Sequence, residues 1–275
     1  MKRLRSVFLA PTSVILAATL VAPLAIVCVY SFLSRGAYGG VREPLSLENY
    51  TRLWDPLYGL IFWRSFWIAG ISTAICLVLG FPLAMFIASS GRRKTLYLSL
   101  VILPFWTSFL IRIYAWMFLL RDTGLINTAL QAMGVIREPL PMLYNDGAVI
   151  LGLVYGFLPF MVLPLYATLE RLDASLIEAS ADLGARPFET FFRVTLPLCA
   201  PGIRAGAILV FVPSLGTYLT SDLLGGSKTI LIGNLVQNQF TAARDWPFGA
   251  AASLALMIIA TALLFAARRS GEELL

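Results

Sequence analysis

Cys28, Cys76 and Cys199 are the three thiols of this 275-residue chain, each in or beside an apolar run and far from the others. That spacing makes neither a disulfide framework nor a zinc site, so they read as small buried hydrophobes. The chain has no histidine, which removes imidazole acid–base chemistry, histidine–metal ligation and a histidine pH switch. Leu224-Gly-Gly-Ser-Lys-Thr229 brings glycine, lysine and threonine together as a phosphate loop does. A phosphate loop needs G-x-x-x-x-G-K-S/T, and here Ser227 separates Gly226 from Lys228. We read the segment as a turn or an outer docking loop, not a nucleotide site. The groups with remaining chemical potential lie in apolar surroundings: Trp106, Arg112, Tyr114, Trp116, Tyr155, Tyr218 and Asp222. Aromatic faces and a carboxylate can accommodate a cation, and a cation over Trp or Tyr gains about 0.5–2 kcal/mol. Each aromatic could equally belong to an interfacial belt or to packing. Asp222 is the leading partner for such a cation, its alternative being to cap or end a helix. Arg112 costs about 2.5–3.5 kcal/mol on insertion scales, so it must face the bundle interior or a partner chain. A structural or gating pair suits it, with an anionic group of a substrate as the other option.

The elements that must position these groups are apolar helices. With 59% hydrophobic and 13% charged residues and a mean hydropathy of +0.81, the chain cannot cover itself with polar side chains. Soluble domains run at about 45–50% apolar and about 25% charged, so a soluble globular fold is excluded. A bilayer core needs about 20 mostly apolar residues as helix. Six windows satisfy this: Phe8–Phe32, Phe66–Ala88, Tyr97–Leu120, Val149–Leu169, Gly202–Leu224 and Phe248–Ala267. Pro11, Pro23, Pro82, Pro104, Pro159 and Pro164 fall inside or at the ends of these windows, which membrane helices tolerate, often with a kink. A β-barrel is excluded because the runs lack period-two alternation.

The formal net charge of +6 comes from basic residues at span ends, where it reports topology rather than nucleic-acid binding. Twelve fall on one side: Lys2, Arg3, Arg5, Arg92, Arg93, Lys94, Arg171, Arg186, Arg193, Arg204, Arg268 and Arg269. Eight fall on the other: Arg35, Arg42, Arg52, Arg64, Arg121, Arg137, Lys228 and Arg244. Both termini are therefore expected in the cytoplasm. The start Met1–Arg5 is charged like a signal peptide, but the apolar stretch behind it is too long for a cleaved one, so a retained first helix is expected. The outer loops Ser34–Arg64 and Arg121–Asp146 carry short helical or turn patterns, with Ser46 at one helix start. They suit either a connector or a docking surface.

The stretch Glu170–Ala200, between the fourth and fifth windows, has a different character. Asp173 can cap a helix whose apolar positions are Leu176, Ile177, Ala181 and Leu183. Gly184 can stop it, and Pro187 suits the first turn of a second helix with Phe188, Phe191 and Phe192 on one face. Leu196-Pro197 ends that helix, and Pro201 opens the next span. Three phenylalanines in water are unfavourable, so the body of the protein or a partner must cover them. Taken by itself, the pair could simply cap the bundle.

Glu178-Ala179-Ser180, three residues, Gly184, nine residues and Val194-Thr195-Leu196-Pro197 resemble the EAA loop of ABC importer permeases. The departures are Ser180 for alanine and Val194 for isoleucine. The resemblance implies a short coupling helix that docks in a groove of an ATPase subunit, a helix-in-groove contact. It assigns that role to Glu178, Ala179, Asp182, Gly184, Arg186, Leu196 and Pro197. A wider resemblance, covering nearly the whole chain, is to spermidine/putrescine importer permeases, the first of the two in such systems. It is carried by Leu103–Trp116, Pro213–Lys228, Ile232–Phe240 and Asp245-Trp-Pro-Phe248. Relatives in that family import opines and amino-acid-like compounds, and a carboxylate bound by Arg112 would favour them.

The expectation is an all-α integral membrane protein: one domain over residues 1–275, six transmembrane helices and a cytoplasmic coupling loop, in the MetI-like permease fold. The resemblance implies half of a polyamine pathway in a bacterial inner membrane. It implies as partners a second permease, two ATPase subunits and an external binding protein, with ATP and magnesium on the ATPase and no cofactor or metal on this chain. A stand-alone secondary transporter would call for internal repeats and buried ion-coupling carboxylates, and only Asp222 approaches such a depth. A membrane enzyme would need a cluster of catalytic groups, and no nucleophile–base pair is visible. Gly152–Gly156 and Gly202–Gly206 have the small-residue spacing of closely packed membrane helices.

Overall fold

Apolar stretches with nothing to bond their amides must satisfy them internally, and helices follow. The computed structural model describes residues 2–272, with side chains described except at 2–10, 12, 13, 174 and 266–272. In chain order it runs α1 (Lys2–Ser31), β1 (Leu33–Arg35), β2 (Val41–Leu45), α2 (Glu48–Arg52) and α3 (Pro56–Ser89). Next come α4 (Lys94–Ile102), α5 (Phe109–Leu120), α6 (Leu125–Ala132), α7 (Asp146–Leu169), α8 (Ala174–Asp182) and α9 (Pro187–Thr190). The last are α10 (Leu196–Leu198), α11 (Ala200–Gly216), α12 (Ile232–Phe240) and α13 (Trp246–Glu272). The side chains of Lys2, Arg3, Arg5, Arg268 and Arg269, on which part of the orientation argument rests, lie outside the described residues.

Among the described residues four helices are long and apolar enough to cross a membrane, and two bent pairs bring the number to six if each counts as one span. The third window is not one straight helix. Gly91–Trp106 and Phe109–Ala132 meet at 86°, because Pro104 tightens the chain into a 3-10 turn and Thr107 is extended, with ψ 152°. The fifth window also breaks. Its helix α11 stops at Gly216, Thr217 is extended, and the chain re-coils as a π-turn at Ser221–Gly225. Pro187–Leu198 meets Ala200–Gly216 at 67°. The second helix of the stretch after α7 continues through a π-turn to Leu198, past the expected stop at Leu196-Pro197.

The described residues form two compact units. One comprises residues up to Ile61 with Leu235–Ala262. Here β1 and β2 pair antiparallel, a hairpin that helical periodicity could not announce. The Ser46 hydroxyl accepts from the Glu48 N–H (3.1 Å), but the residue at the N-cap of α2 is Leu47, one position later than the expected start. Buried Asn49 ties the turn together, donating to the carbonyls of Ser31 (3.0 Å) and Leu33 (2.8 Å). The Asp245-Trp-Pro-Phe248 run has a structural basis. Buried Asp245 pairs with Arg52 at 2.9 Å and accepts the Phe248 N–H at 3.3 Å, while the Arg52 guanidinium lies 4.2 Å over the Phe248 ring.

The other unit comprises Phe62–Asn234 and the residues from Leu263 on. Its core joins Cys76, Phe81, Ala84, Ile87, Met161, Val162, Leu165 and Cys199. A second cluster joins Ile68, Ile113, Val149, Leu153, Leu224 and Leu231. The glycine spacings do mark close approach: a β-carbon at Gly206 would lie 2.6 Å from the Met161 sulfur, and one at Gly152 2.5 Å from Leu224 Cδ1. Cys76 and Cys199 are buried, as expected of small hydrophobes, whereas Cys28 is exposed.

Candidate functional site

Three arrangements follow, all in the second unit. The first is the stretch after α7. Asp173 caps α8 by accepting the Ser175 N–H at 3.0 Å, and this hydrogen bond holds its carboxyl below the usual range. Gly184, with φ +82° and open space where a β-carbon would be, ends the helix in the left-handed conformation. Pro187 opens α9, whose first turn is closed by Glu189 accepting the Arg186 N–H at 3.1 Å. Ser180, the departure from alanine, bonds Thr190 hydroxyl to hydroxyl at 2.9 Å and joins the two helices.

Of the phenylalanines, Phe191 turns inward, edge-on to Phe81 at 5.3 Å, while Phe188 and Phe192 remain exposed. Leu183 is 88% exposed. Glu178, Ala179, Asp182, Gly184 and Arg186 share that open surface, with Pro197 exposed and Leu196 packed on the core. A capped pair of short helices therefore offers an apolar centre with charged neighbours, the composition of a docking face. Beside it Lys94 pairs with Glu170, and Lys94 and then Tyr166 hold the Glu170 carboxyl below its usual range.

The second arrangement gathers part of the expected pathway set. The Arg112 guanidinium lies 4.2 Å over Phe105 and 5.6 Å from Phe109. Phe105 stacks with Tyr155 at 6.5 Å, and Trp116 meets Tyr155 edge-on at 5.6 Å. Arg112 Nε and Nη1 are buried without a hydrogen-bond partner, so aromatic faces are their company. Trp106 (84% exposed) and Tyr114 stand outside this cluster. The Phe105 face is thus covered by a cation of the chain itself.

The third is the re-coiled segment after α11. Tyr218 and Asp222 are both exposed and one turn apart, the Asp222 N–H donating to the Tyr218 carbonyl at 2.8 Å. Among the described residues the Asp222 carboxylate has no ion-pair partner. Asn234 fixes the turn from the next element. Its side chain donates to the Tyr218 carbonyl (3.1 Å) and accepts the Leu231 N–H (3.2 Å).

Sequence reasoning missed a polar network at the same end. Arg64 Nη2 donates to Asp146 Oδ1 (2.6 Å) and Nη1 to the Lys228 carbonyl (2.8 Å). Buried Thr229 donates to the same Asp146 oxygen at 2.6 Å. Opposite charges at the ends of the second and fourth spans were the available signal, but nothing in the sequence pairs them. Among the described residues no group of three His, Cys, Asp or Glu could hold a metal.

Residues 77–270 match the family of binding-protein-dependent transport system inner membrane components. The chain is 45% identical to the spermidine/putrescine transport system permease protein PotB of Haemophilus influenzae, over 92% of this chain and 88% of that one. It is 46% identical to the protein of the same description in Escherichia coli K12, over 89% of each. A further Escherichia coli relative, the inner membrane ABC transporter permease protein YdcU, is 37% identical over 84% of this chain and 78% of its own length. Among solved structures, the fold is shared with a bacterial alginate ABC transporter in complex with alginate pentasaccharide-bound periplasmic protein. There the TM-score is 0.79 at 18% identity, covering 98% of this chain and 94% of that one.

Proposed function

Because the chain belongs to the family of binding-protein-dependent transport system inner membrane components, we propose that it forms, as one transmembrane domain, half of the membrane pathway of an ABC importer for polyamines. The observation that carries the importer part is the capped, glycine-stopped pair of helices after α7, with Leu183 and Phe188 open to a partner. The spermidine/putrescine class is supported by relatives at 45–46% identity along about nine-tenths of the chain.

A second permease supplies the other half of the route, and an external binding protein delivers substrate. ATP and magnesium sit on two separate ATPase subunits, and this chain carries no catalysis. Glu178, Ala179, Asp182, Gly184 and Arg186 form the docking face, with Leu196 and Pro197 anchoring its base. Both termini lie on the cytoplasmic side of the inner membrane. ATP binding and hydrolysis act by changing the relative stability of inward- and outward-open states.

On the pathway, Asp222 and Tyr218 receive the substrate ammonium, since a carboxylate and an aromatic face offset its desolvation. Trp106 and Tyr114 contribute exposed aromatic surface beside the break in the third span. Phe105 and Phe109 hold Arg112, and Tyr155, backed by Trp116, stacks against Phe105. A second reading, an amino-acid-like or opine substrate, is favoured by the unpartnered nitrogens of Arg112, which would take a carboxylate. The test is uptake of labelled putrescine and spermidine in cells lacking the chain and in cells with it restored. Restoration that fails with an ATPase-dead partner supports the polyamine importer. A chain in the membrane, bound to its ATPase, that restores neither uptake refutes the polyamine substrate.

A further inference from the structure

The turn that carries Asp222 is built to resist displacement relative to α7. Ser221 Oγ donates to the Thr229 carbonyl (2.6 Å), closing Ser221–Thr229 into a loop. That loop is fastened to the Asp146 end of α7 by Thr229 and Arg64, and the Tyr144 N–H, just before α7, donates to the Leu224 carbonyl at 2.8 Å. Contact along the helix is as close as atoms allow: a β-carbon at Gly152 would meet Leu224, and one at Gly225 would lie 2.8 Å from Val149.

At its opposite end α7 passes directly into the docking stretch. Glu170, which pairs with Lys94, caps it, and three residues later Asp173 starts α8. A helix of 24 residues at about 1.5 Å per residue spans the membrane as a single piece. One continuous helix, with Pro159 and Pro164 within it, thus has a charged fastening at each end: Glu170 with Lys94 beside the docking face, and Asp146 with Arg64 and Thr229 beside Asp222.

We propose that Arg64 is a positioning residue for transport: with Thr229 it locks the Ser221–Thr229 loop, and so Asp222, to α7, so that displacement at the docking face moves that loop. The inference rests on the importer reading. It names the physical connection within this chain, a packed helix with polar fastenings at both ends, a kind of network that carries energetic coupling between distant sites. Arg64 does this by geometry, since its planar fork aims one nitrogen at a carboxylate and the other at a backbone carbonyl.

The test uses the assembled complex in lipid nanodiscs, with exposed Cys28 changed to Ser and exposed Ser227 changed to Cys. The rate at which a maleimide labels this chain is measured without nucleotide and after trapping with ATP and vanadate. The proposal expects trapping to change the rate by about fivefold or more, the scale of ordinary allosteric coupling. It expects Arg64→Gln to abolish the change while the complex still traps nucleotide. Thr229→Val, close in volume, carries the same expectation if Arg64→Gln does not reach the membrane. A parent complex that traps nucleotide with no change at Ser227→Cys, or variants that keep the full change, would overturn the proposal. A complex without vanadate-sensitive ATP hydrolysis would instead refute the importer reading, and this inference with it.

Discussion

The Arg112 guanidinium lies over Phe105, 4.2 Å from the ring centre, with two of its nitrogens buried and without a hydrogen-bond partner. A cation held this way is stabilised by the aromatic faces, and its charge stands beside a route proposed for another cation. If the substrate is a polyamine, Arg112 is no binding contact. Arg112→Gln should then lower putrescine uptake by less than about tenfold, a step worth 1.4 kcal/mol. It should leave the preference between putrescine and spermidine as it was. Uptake of an amino-acid-like substrate by the parent, lost in the variant, would reverse the assignment.

Asp222 differs from Arg112 in being exposed and without an ion-pair partner among the described residues. Asp222→Asn preserves shape and removes charge. Its expected effect is a fall of about tenfold or more in polyamine uptake, the loss of one charge-assisted contact, at unchanged abundance in the membrane. Immunoblotting beside the uptake assay separates the two; full uptake by the variant would remove Asp222 from the pathway.

Gly184 is constrained by backbone conformation alone, since φ is +82° and no atom lies where a β-carbon would project. Asparagine tolerates that region and valine does not. Gly184→Asn should therefore keep the ATPase bound on purification, and Gly184→Val should lose it with the chain still in the membrane. Equal retention by both would show that the helix stop does not shape the docking face.

Gly152 is constrained by neighbours instead, with Leu224 and Thr220 atoms 2.5 and 2.7 Å from the site of a β-carbon. Gly152→Val forces α7 and the Asp222 loop apart. We expect a loss of about 1–3 kcal/mol from overpacking, read as a lower melting temperature of the purified complex. Gly70→Val, where nothing lies within 4 Å of the β-carbon site, is the control.

What the sequence revealed, and what it hid, follows from the range of the forces involved. Spans, caps and stops are local. Asp173, Gly184 and Pro187 could be placed because each acts within a few residues of itself, whereas the inward turn of Phe191 and the run of the second helix to Leu198 depend on packing. The breaks at Thr107 and Thr217 were not visible, because an apolar run has the same hydropathy whether its helix is straight or bent. The pairing of Arg64 with Asp146, and of Lys94 with Glu170, depends on which helices are neighbours, and one sequence does not carry that. Exposure could not be read either, so Trp106 and Trp116 looked alike while one stands open and the other packs against Tyr155.

The central claim is that this chain moves polyamines only when ATP is consumed by ATPase subunits bound at its docking face. The most direct measurement is accumulation of labelled putrescine in proteoliposomes holding the purified complex, with ATP on the ATPase side and loaded binding protein on the other. The account predicts accumulation that needs both, and that disappears with Gly184→Val or with vanadate. Accumulation driven by an ion gradient without ATP, or ATP hydrolysis stimulated by the loaded binding protein with no putrescine moved, would contradict it.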